Sequence, residues 1–330
     1  MARGSNRVTL VHVAETAGVS LSTASHAFGI DKPISEATRA RVLAAAAELG
    51  YEGPDPRARS LRSGRTEIIG VQIDDEAGRA FRDPVIIGIL DGVTSALADS
   101  PNSVLLIPDS VPPERLRALP VDGVIAAGCS PHLAALREAM ARRELPVVTA
   151  GDQVDELGCV GVENRAATAR LTAHLSDLGH RAVGIVKLSP STVEVARTGA
   201  ALAAYPAAPS VSAADSTIDE GVRAGGALLD GNPGLTAIIA QSDLLAAGVV
   251  RAAESRGLRV PEDLSVTGFD GIRVDGFARR LTTIRQPLVE MGRLAAEAVL
   301  ASLDGAPLPT TAMPVELVLG DTTGPAPQRS

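Results

Sequence analysis

The chain has 330 residues, 45% of them hydrophobic and 21% charged, with a formal net charge of −8. That length suits a small domain joined to a larger two-lobed one. No apolar span of roughly 18 residues occurs and Met1–Arg7 has no apolar core, which argues against membrane-spanning and exported classes and leads us to expect a cytoplasmic protein.

The first elements read as helices. Thr9 can cap a helix whose apolar stripe is Leu10, Val13, Ala14 and Ala17, with His12 and Glu15 left in water and Gly18 as the stop. Val19 anchors the turn, Ser20 caps a second helix, and Ala24 and Phe28 recur at helical spacing to bury it against the first. After a loop at Asp31-Lys32-Pro33, Ser35 caps a third helix with an inner face read as Val42, Leu43, Ala46 and Leu49, ended by Gly50. Two short helices across a tight glycine turn make a helix-turn-helix, and three helices in about fifty residues have the size of a DNA-binding module. The second helix leaves Leu21, Ser22, Thr23, Ser25 and His26 outside. These short or polar groups near a helix N-terminus suit base edges and a phosphate.

A basic segment follows. Arg57, Arg59, Arg62 and Arg65 surround Leu61, with Asp55-Pro56 in front as cap and first helical position. Arginines on a short helix suit phosphates, and a lone leucine among them suits a wedge between base steps in a minor groove. The first 65 residues hold nine Lys/Arg against six Asp/Glu, whereas the other 265 hold 22 against 33. A modestly basic reader thus precedes an acidic body, which should face away from DNA.

The body alternates apolar runs with helical stretches. Strands are expected at Ile68 to Ile73, Ser103 to Ile107, Gly123 to Ala127, Val147 to Ala150, Ala182 to Val186, Ala237 to Ala240 and Leu264 to Gly268. Helices are expected at Pro84 to Leu97, Leu133 to Arg143, Ala166 to Leu178, Asp219 to Leu229, Leu244 to Arg256 and Pro287 to Leu303. That alternation signals parallel sheets covered on both faces, here two lobes in series with a ligand cleft at the strands' carboxyl ends. Cys129 and Cys159 sit in small-residue contexts, read as buried reduced thiols rather than a disulfide or metal site. No G-x-G-x-x-G follows the first strand, no phosphate-binding lysine loop occurs, and no Ser-His-Asp or metal-ligand set stands out, so neither catalysis nor a cofactor is expected.

Residues 8 to 65 resemble the LacI family of transcriptional regulators. The resemblance rests on Thr9, Val13-Ala14, Ala17-Gly18-Val19-Ser20, Thr23-Ala24-Ser25, Ser35-Glu36-Ala37-Thr38-Arg39, Leu49-Gly50-Tyr51 and Ala58-Arg59-Ser60-Leu61. Phrases of the body also resemble it, among them Leu178-Gly179-His180-Arg181, Gly268-Phe269-Asp270 and Leu281-Thr282-Thr283-Ile284-Arg285-Gln286-Pro287. The chain departs at His12, where the family usually has Asp, at His26-Ala27-Phe28-Gly29, and by one extra residue between Tyr51 and Pro54.

The resemblance implies a small all-α helix-turn-helix domain plus an α/β two-lobed effector domain of the periplasmic-binding-protein type I fold, with two Rossmann-like lobes of parallel sheet. The expected division is 1–53 for the reader, 54–66 for a hinge helix and linker, 67–320 for the effector-binding and dimerisation domain, and 321–330 for a flexible tail. Chain crossings between lobes are expected near Val162, Gln286 and Ala312. By resemblance Leu21, Ser22 and His26 read bases, while Thr9, Ser20, Thr23, Ser25 and Tyr51 contact phosphates and Leu61 is the wedge, flanked by Arg57, Arg59 and Arg62. Phe81, Arg197, Ser242 and Asp270 are the expected effector contacts, with a sugar as the family-average effector. The implied partners are near-palindromic operator DNA, a small-molecule effector and a second copy of the chain, with no membrane. A solute-binding protein of the same two-lobed fold is the alternative, and residues 1–65 count against it. The end of the chain has no heptads, so no coiled-coil tetramer is expected.

Overall fold

The computed structural model describes residues 8–28, 34–53, 60, 64–73, 81–128, 132–151 and 157–328. The chain divides between Glu67 and Ile68 into two compact units. Arg57, Arg59, Leu61 and Arg62 of the expected hinge, and Cys129, lie outside the described residues.

The first unit is a trihelical knot: α1 (Leu10–Ala17), α2 (Leu21–Ala27) and α3 (Glu36–Leu49). Its core is Val13, Ala14, Ala17, Ala24, Ala27, Val42, Ala45 and Ala46, small side chains that let three short helices close on one another. Gly18 ends α1 at φ 63°, a left-handed turn that glycine adopts without strain. One expectation needs correction: Leu43 is 43% exposed, and Ala45 takes its place inside. The positions 42, 45, 46 and 49 hold the helical repeat, which 43 breaks.

The second unit contains two parallel sheets. The strands of the first are β1 (Ile68–Ile73), β2 (Ser103–Pro108), β3 (Gly123–Gly128), β4 (Val147–Gly151), β5 (Gly158–Val162) and β11 (Thr310–Met313). All six run parallel, in the order β11-β5-β4-β3-β1-β2. Four more, β6 (Val183–Lys187), β7 (Ser210–Ser212), β8 (Ala237–Ala240) and β9 (Ser265–Thr267), form the second sheet in the order β7-β6-β8-β9. An antiparallel pair, β10 (Thr283–Arg285) and β12 (Glu316–Val318), runs beside the exit of β9, to which it is joined by isolated bridges at Thr267–Thr282 and Asp270–Arg285. The chain leaves the first sheet after Val162, returns through β10, and leaves it again after Met313, near the three expected crossings.

Helices cover both faces of both sheets, which explains the unbroken apolar strands. In the first lobe, α4 (Pro84–Leu97) and α11 (Leu288–Leu303) pack on one face, and α5 (Pro113–Leu116) and α6 (Leu133–Ala141) on the other. In the second, Ile238 and Ala240 of β8 meet α9 (Ile218–Gly231) and α10 (Asp243–Glu254). Ala237 and Ile239 face α7 (Asn164–Asp177) and α8 (Thr192–Ala204). Each lobe contains a glycine-on-glycine helix crossing. A Cβ at Gly92 of α4 would lie 1.8 Å from the Val289 carbonyl oxygen, and one at Gly221 of α9 would lie 2.4 Å from that of Leu245.

The segment expected to be a flexible tail is held down over its first half. Thr322 is fully buried and donates to the Val266 carbonyl at 2.8 Å, and the Ala326 N–H donates to the Leu178 carbonyl at 2.8 Å. His180, also fully buried, lies with Nε2 3.0 Å from the Gly324 carbonyl oxygen. These bonds satisfy polar groups that burial would otherwise strand.

Candidate functional site

The reader's outward face is built by capping. Ser20 accepts from the Thr23 N–H at 3.1 Å, and the two hydroxyls lie 2.8 Å apart, fixing the start of α2. Leu21 and Ser22 are exposed, and Thr23, Ser25 and His26 are half-buried, so the expected base-reading positions share one face over the buried Ala24 and Ala27. Arg39 of α3 donates through Nη1 to the Ala27 carbonyl at 2.8 Å, which ties down the other end of α2. Thr9 is exposed at the start of α1, where the N–H of Thr9 donates to Nδ1 of His12 at 3.2 Å. His12 thus supplies a side-chain acceptor at a position where acidic or amide side chains usually serve. Tyr51 packs edge-to-face on Phe28, with ring centroids 5.5 Å apart.

A cavity of about 610 Å³ opens in the second unit at the carboxyl ends of the strands. Its walls come from both lobes: Gly128 and Gly151 end β3 and β4 on one side, while the Leu188–Ser191 turn and Asp215 follow β6 and β7 on the other. Arg197, Ser242 and Asp270 line it, as expected. Phe81 does not. It is 63% exposed in the turn ahead of α4, whose cap is Asp83, and Asp83 is the residue from this segment that reaches the cavity.

Arg197 projects from α8 and is 5% exposed. Its Nε donates to Asn164 Oδ1 at 2.8 Å and its Nη1 to the Gln241 carbonyl at 2.5 Å, with Asp270 Oδ1 3.8 Å from Nη1. The guanidinium carbon lies 3.4 Å from the centroid of the buried Phe269 ring, a cation–π stack. Phe269 therefore serves the arginine and presents no platform to a ligand. Among the described residues no Phe, Tyr or Trp lines the cavity.

Asp270 sits at φ 119°, a conformation in which side-chain-bearing residues are strained, at the exit of β9. It accepts from Gln286 Nε2 at 2.8 Å. Burial pushes its carboxyl well above the usual range, Arg197 opposes that shift, and the carboxylates of Asp243 and Asp83 add to it. Asp243, fully buried at the start of α10, is pushed up to about 7 by burial, against donors on Thr283 and Ile272 at 2.6 and 2.8 Å. Ser242 caps α10 by accepting from the Leu245 N–H at 3.2 Å and shares a hydrogen bond with Ser216 at 2.8 Å.

Sequence reasoning missed Asp109, Asp215 and Gln286 in the lining. For Asp109 the available signal was position, one residue beyond β2; Asp215 lies three residues beyond β7, a strand with no sequence signal of its own. Among the described residues no group of His, Cys, Asp and Glu is placed to hold a metal ion. Among them, too, no helix is long and apolar enough to cross a membrane.

The chain is similar to known proteins over nearly its whole length. Residues 9–53 match the model of bacterial regulatory proteins of the lacI family, and residues 172–323 match a periplasmic binding protein-like domain. The HTH-type transcriptional regulator IpsA of Corynebacterium glutamicum is 33% identical, covering 92% of this chain and 94% of that one. Among solved structures, a lac repressor dimer bound to operator and the anti-inducer ONPF superposes with a TM-score of 0.80 at 26% identity, covering 97% of this chain and 100% of that one. A complex of the transcriptional regulator CelR with cellobiose gives 0.69 at 27% identity, covering 96% and 100%.

Proposed function

The chain belongs to the LacI family of bacterial regulatory proteins, and on that premise we propose that it is a homodimeric repressor whose hold on operator DNA is set by a small molecule in the interlobe cavity. It is a helix-turn-helix, DNA-binding transcriptional regulator, and the alternative of a solute-binding protein is set aside by the reader at its start. It works in the cytoplasm and binds its effector without turning it over.

One observation carries this reading. A single chain holds a capped helix with an exposed face of short and polar residues and, in a separate unit, a cavity walled by both lobes. In the proposal, Leu21, Ser22 and His26 read base edges in a major groove, and Thr9, Ser20, Thr23, Ser25 and Tyr51 hold phosphates. Arg57, Arg59 and Arg62 add phosphate contacts around Leu61, which wedges into the minor groove at the centre of a two-fold site. Arg197, Ser242 and Asp270 contact the effector. A ligand that prefers one arrangement of the lobes shifts the population toward it, and the segment at 55–63 passes that shift to the DNA.

Selection of binding sites from a pool of random duplexes tests the DNA half of this reading. A near-palindromic consensus is the expected product, and recovery of unrelated sequences would refute sequence-specific control.

A further inference from the structure

In the first unit, the end of α2 and the exit of the chain from the reader meet at one aromatic contact. Phe28 is the C-cap of α2, half-buried against the small-residue core of the three helices. Tyr51 follows the end of α3, where Gly50 turns left-handed at φ 66°. The Tyr51 N–H reaches back to the Ala46 carbonyl at 2.8 Å, which fixes the tyrosine's backbone to the last turn of that helix. The two rings stand 5.5 Å apart between centroids and 76° apart in plane, the edge-to-face arrangement that aromatic quadrupoles favour. Two residues on, Gly53 takes φ 117°, a conformation that glycine enters freely. A Cβ built there would lie 4.0 Å from Cδ1 of Phe28, so the backbone leaving the reader runs beside the same ring.

Two of the chain's departures from the LacI-family pattern coincide at this contact: the stretch His26-Ala27-Phe28-Gly29 and the extra residue between Tyr51 and Pro54. One extended residue adds about 3.3–3.6 Å of reach, close to the rise of one base pair. Here the added length goes into a glycine turn against Phe28 instead of into reach. Arg39 holds the same end of α2 through the Ala27 carbonyl at 2.8 Å, so the ring is anchored to the base-reading helix.

We propose that Phe28 is a positioning residue that fixes, through Tyr51 and Gly53, where the chain leaves the reader, and thereby sets the half-site spacing that the dimer accepts. This rests on the reading of the protein as a homodimeric operator binder. On a two-fold site, each reader is tied to the centre of the operator by the chain between them, and slack in that chain decides how far apart the half-sites can lie. With the aromatic contact in place the slack is small. Without it each protomer gains up to one residue of reach, about one base pair per half-site. Phe28 contacts no base in this account, so it governs spacing and leaves base identity to α2.

The test titrates full-length wild type, Phe28→Leu, Phe28→Tyr and Gly53→Ala at fixed salt against three duplexes. These are the operator selected by the wild type and the same half-sites with the centre lengthened or shortened by one base pair. The wild type should prefer the selected spacing by about tenfold or more. Phe28→Leu keeps an apolar side chain over the core and loses the ring, and its preference should fall to about threefold or less. Phe28→Tyr keeps the ring and should keep the wild-type ratio. Gly53→Ala strains the turn at φ 117° without touching the helical core, and should also narrow the preference, so it decides the matter if Phe28→Leu fails to fold. A wild-type ratio in Phe28→Leu or Gly53→Ala, with or without a uniform loss of affinity on all three duplexes, overturns the proposal. Loss of the ratio in Phe28→Tyr overturns the aromatic contact as its cause. A wild type that binds all three spacings equally overturns the proposal and leaves sequence-specific control standing. Selection that returns no near-palindromic site overturns the operator reading and this inference with it.

Discussion

Nη1 of Arg197 lies 3.8 Å from Oδ1 of Asp270, both side chains almost wholly buried, so the two expected effector groups face one another in the wall of the cleft. Because Arg197 also holds Asn164 and the Gln241 carbonyl, the ion pair is one part of a network joining α7, α8 and the exits of β8 and β9. A ligand that engages either group must compete with that network.

The two partners should respond unequally to substitution. Arg197→Met leaves the Asn164 side-chain oxygen and the Gln241 carbonyl buried without their donor, and its cost should be about 3 kcal/mol. Asp270→Asn keeps an acceptor for Gln286 and a residue type that tolerates positive φ, so its cost should be well under half of that. Urea unfolding of the two variants measures the difference, and equal losses would contradict the network.

Asp243 predicts a pH dependence. Its folded pKa is raised from 3.8 to about 7, so the folded state holds the proton more tightly than the unfolded state does. Its contribution to stability is therefore complete below about pH 4 and is lost as pH rises through about 7. Unfolding free energies of the wild type and Asp243→Asn, compared across that window, should converge or cross as pH rises, the wild type losing stability relative to the variant. Parallel curves would show that Asp243 does not titrate differently on folding.

The glycine crossing of α4 and α11 is a packing constraint. A Cβ at Gly292 would lie 2.0 Å from the Ile89 carbonyl oxygen, and backbone cannot move aside as a side chain can. Gly292→Ala should cost about 3 kcal/mol. Gly231, at the end of α9, is the control, because a methyl added there would meet nothing within 4 Å. There alanine should stabilise by about 0.5 kcal/mol through the unfolded state. Thermal unfolding of both variants checks the contrast, and a neutral Gly292→Ala would mean the two helices can separate freely.

The legible parts of this chain are those in which local and tertiary preferences agree. β1 and α4 fall where the sequence places them, the first a continuous apolar run and the second announced by an Asp cap and a Pro in its first turn. α8 was illegible because it opens on β-branched Thr192 and Val193 and carries Gly199, so its helical stripe is diluted, although Arg197 lies on it. β7 is three polar-flanked residues at a sheet edge, and without it Asp215 has no strand end to mark it. β10 and β12 exist because the chain crosses there, their pairing reinforced by Arg285 and Glu316 at 2.8 Å, a contact between residues far apart in sequence. Arg197, Ser242 and Asp270 were legible because resemblance marked them. The aspartates around them depend on which strand ends meet at one cleft, and no local pattern carries that information.

Operator affinity measured with and without ligand tests the central claim most directly. Fluorescence anisotropy of a selected operator duplex, at fixed salt, is followed as a small molecule that raises the thermal stability of the full-length protein is added to the wild type and to Asp270→Asn. In the wild type the ligand should change operator affinity by about tenfold or more, and operator should change ligand affinity by the same factor, as linkage requires. In Asp270→Asn the coupling should vanish while operator binding persists. A ligand that saturates the wild-type cleft and leaves operator affinity unchanged would contradict the account.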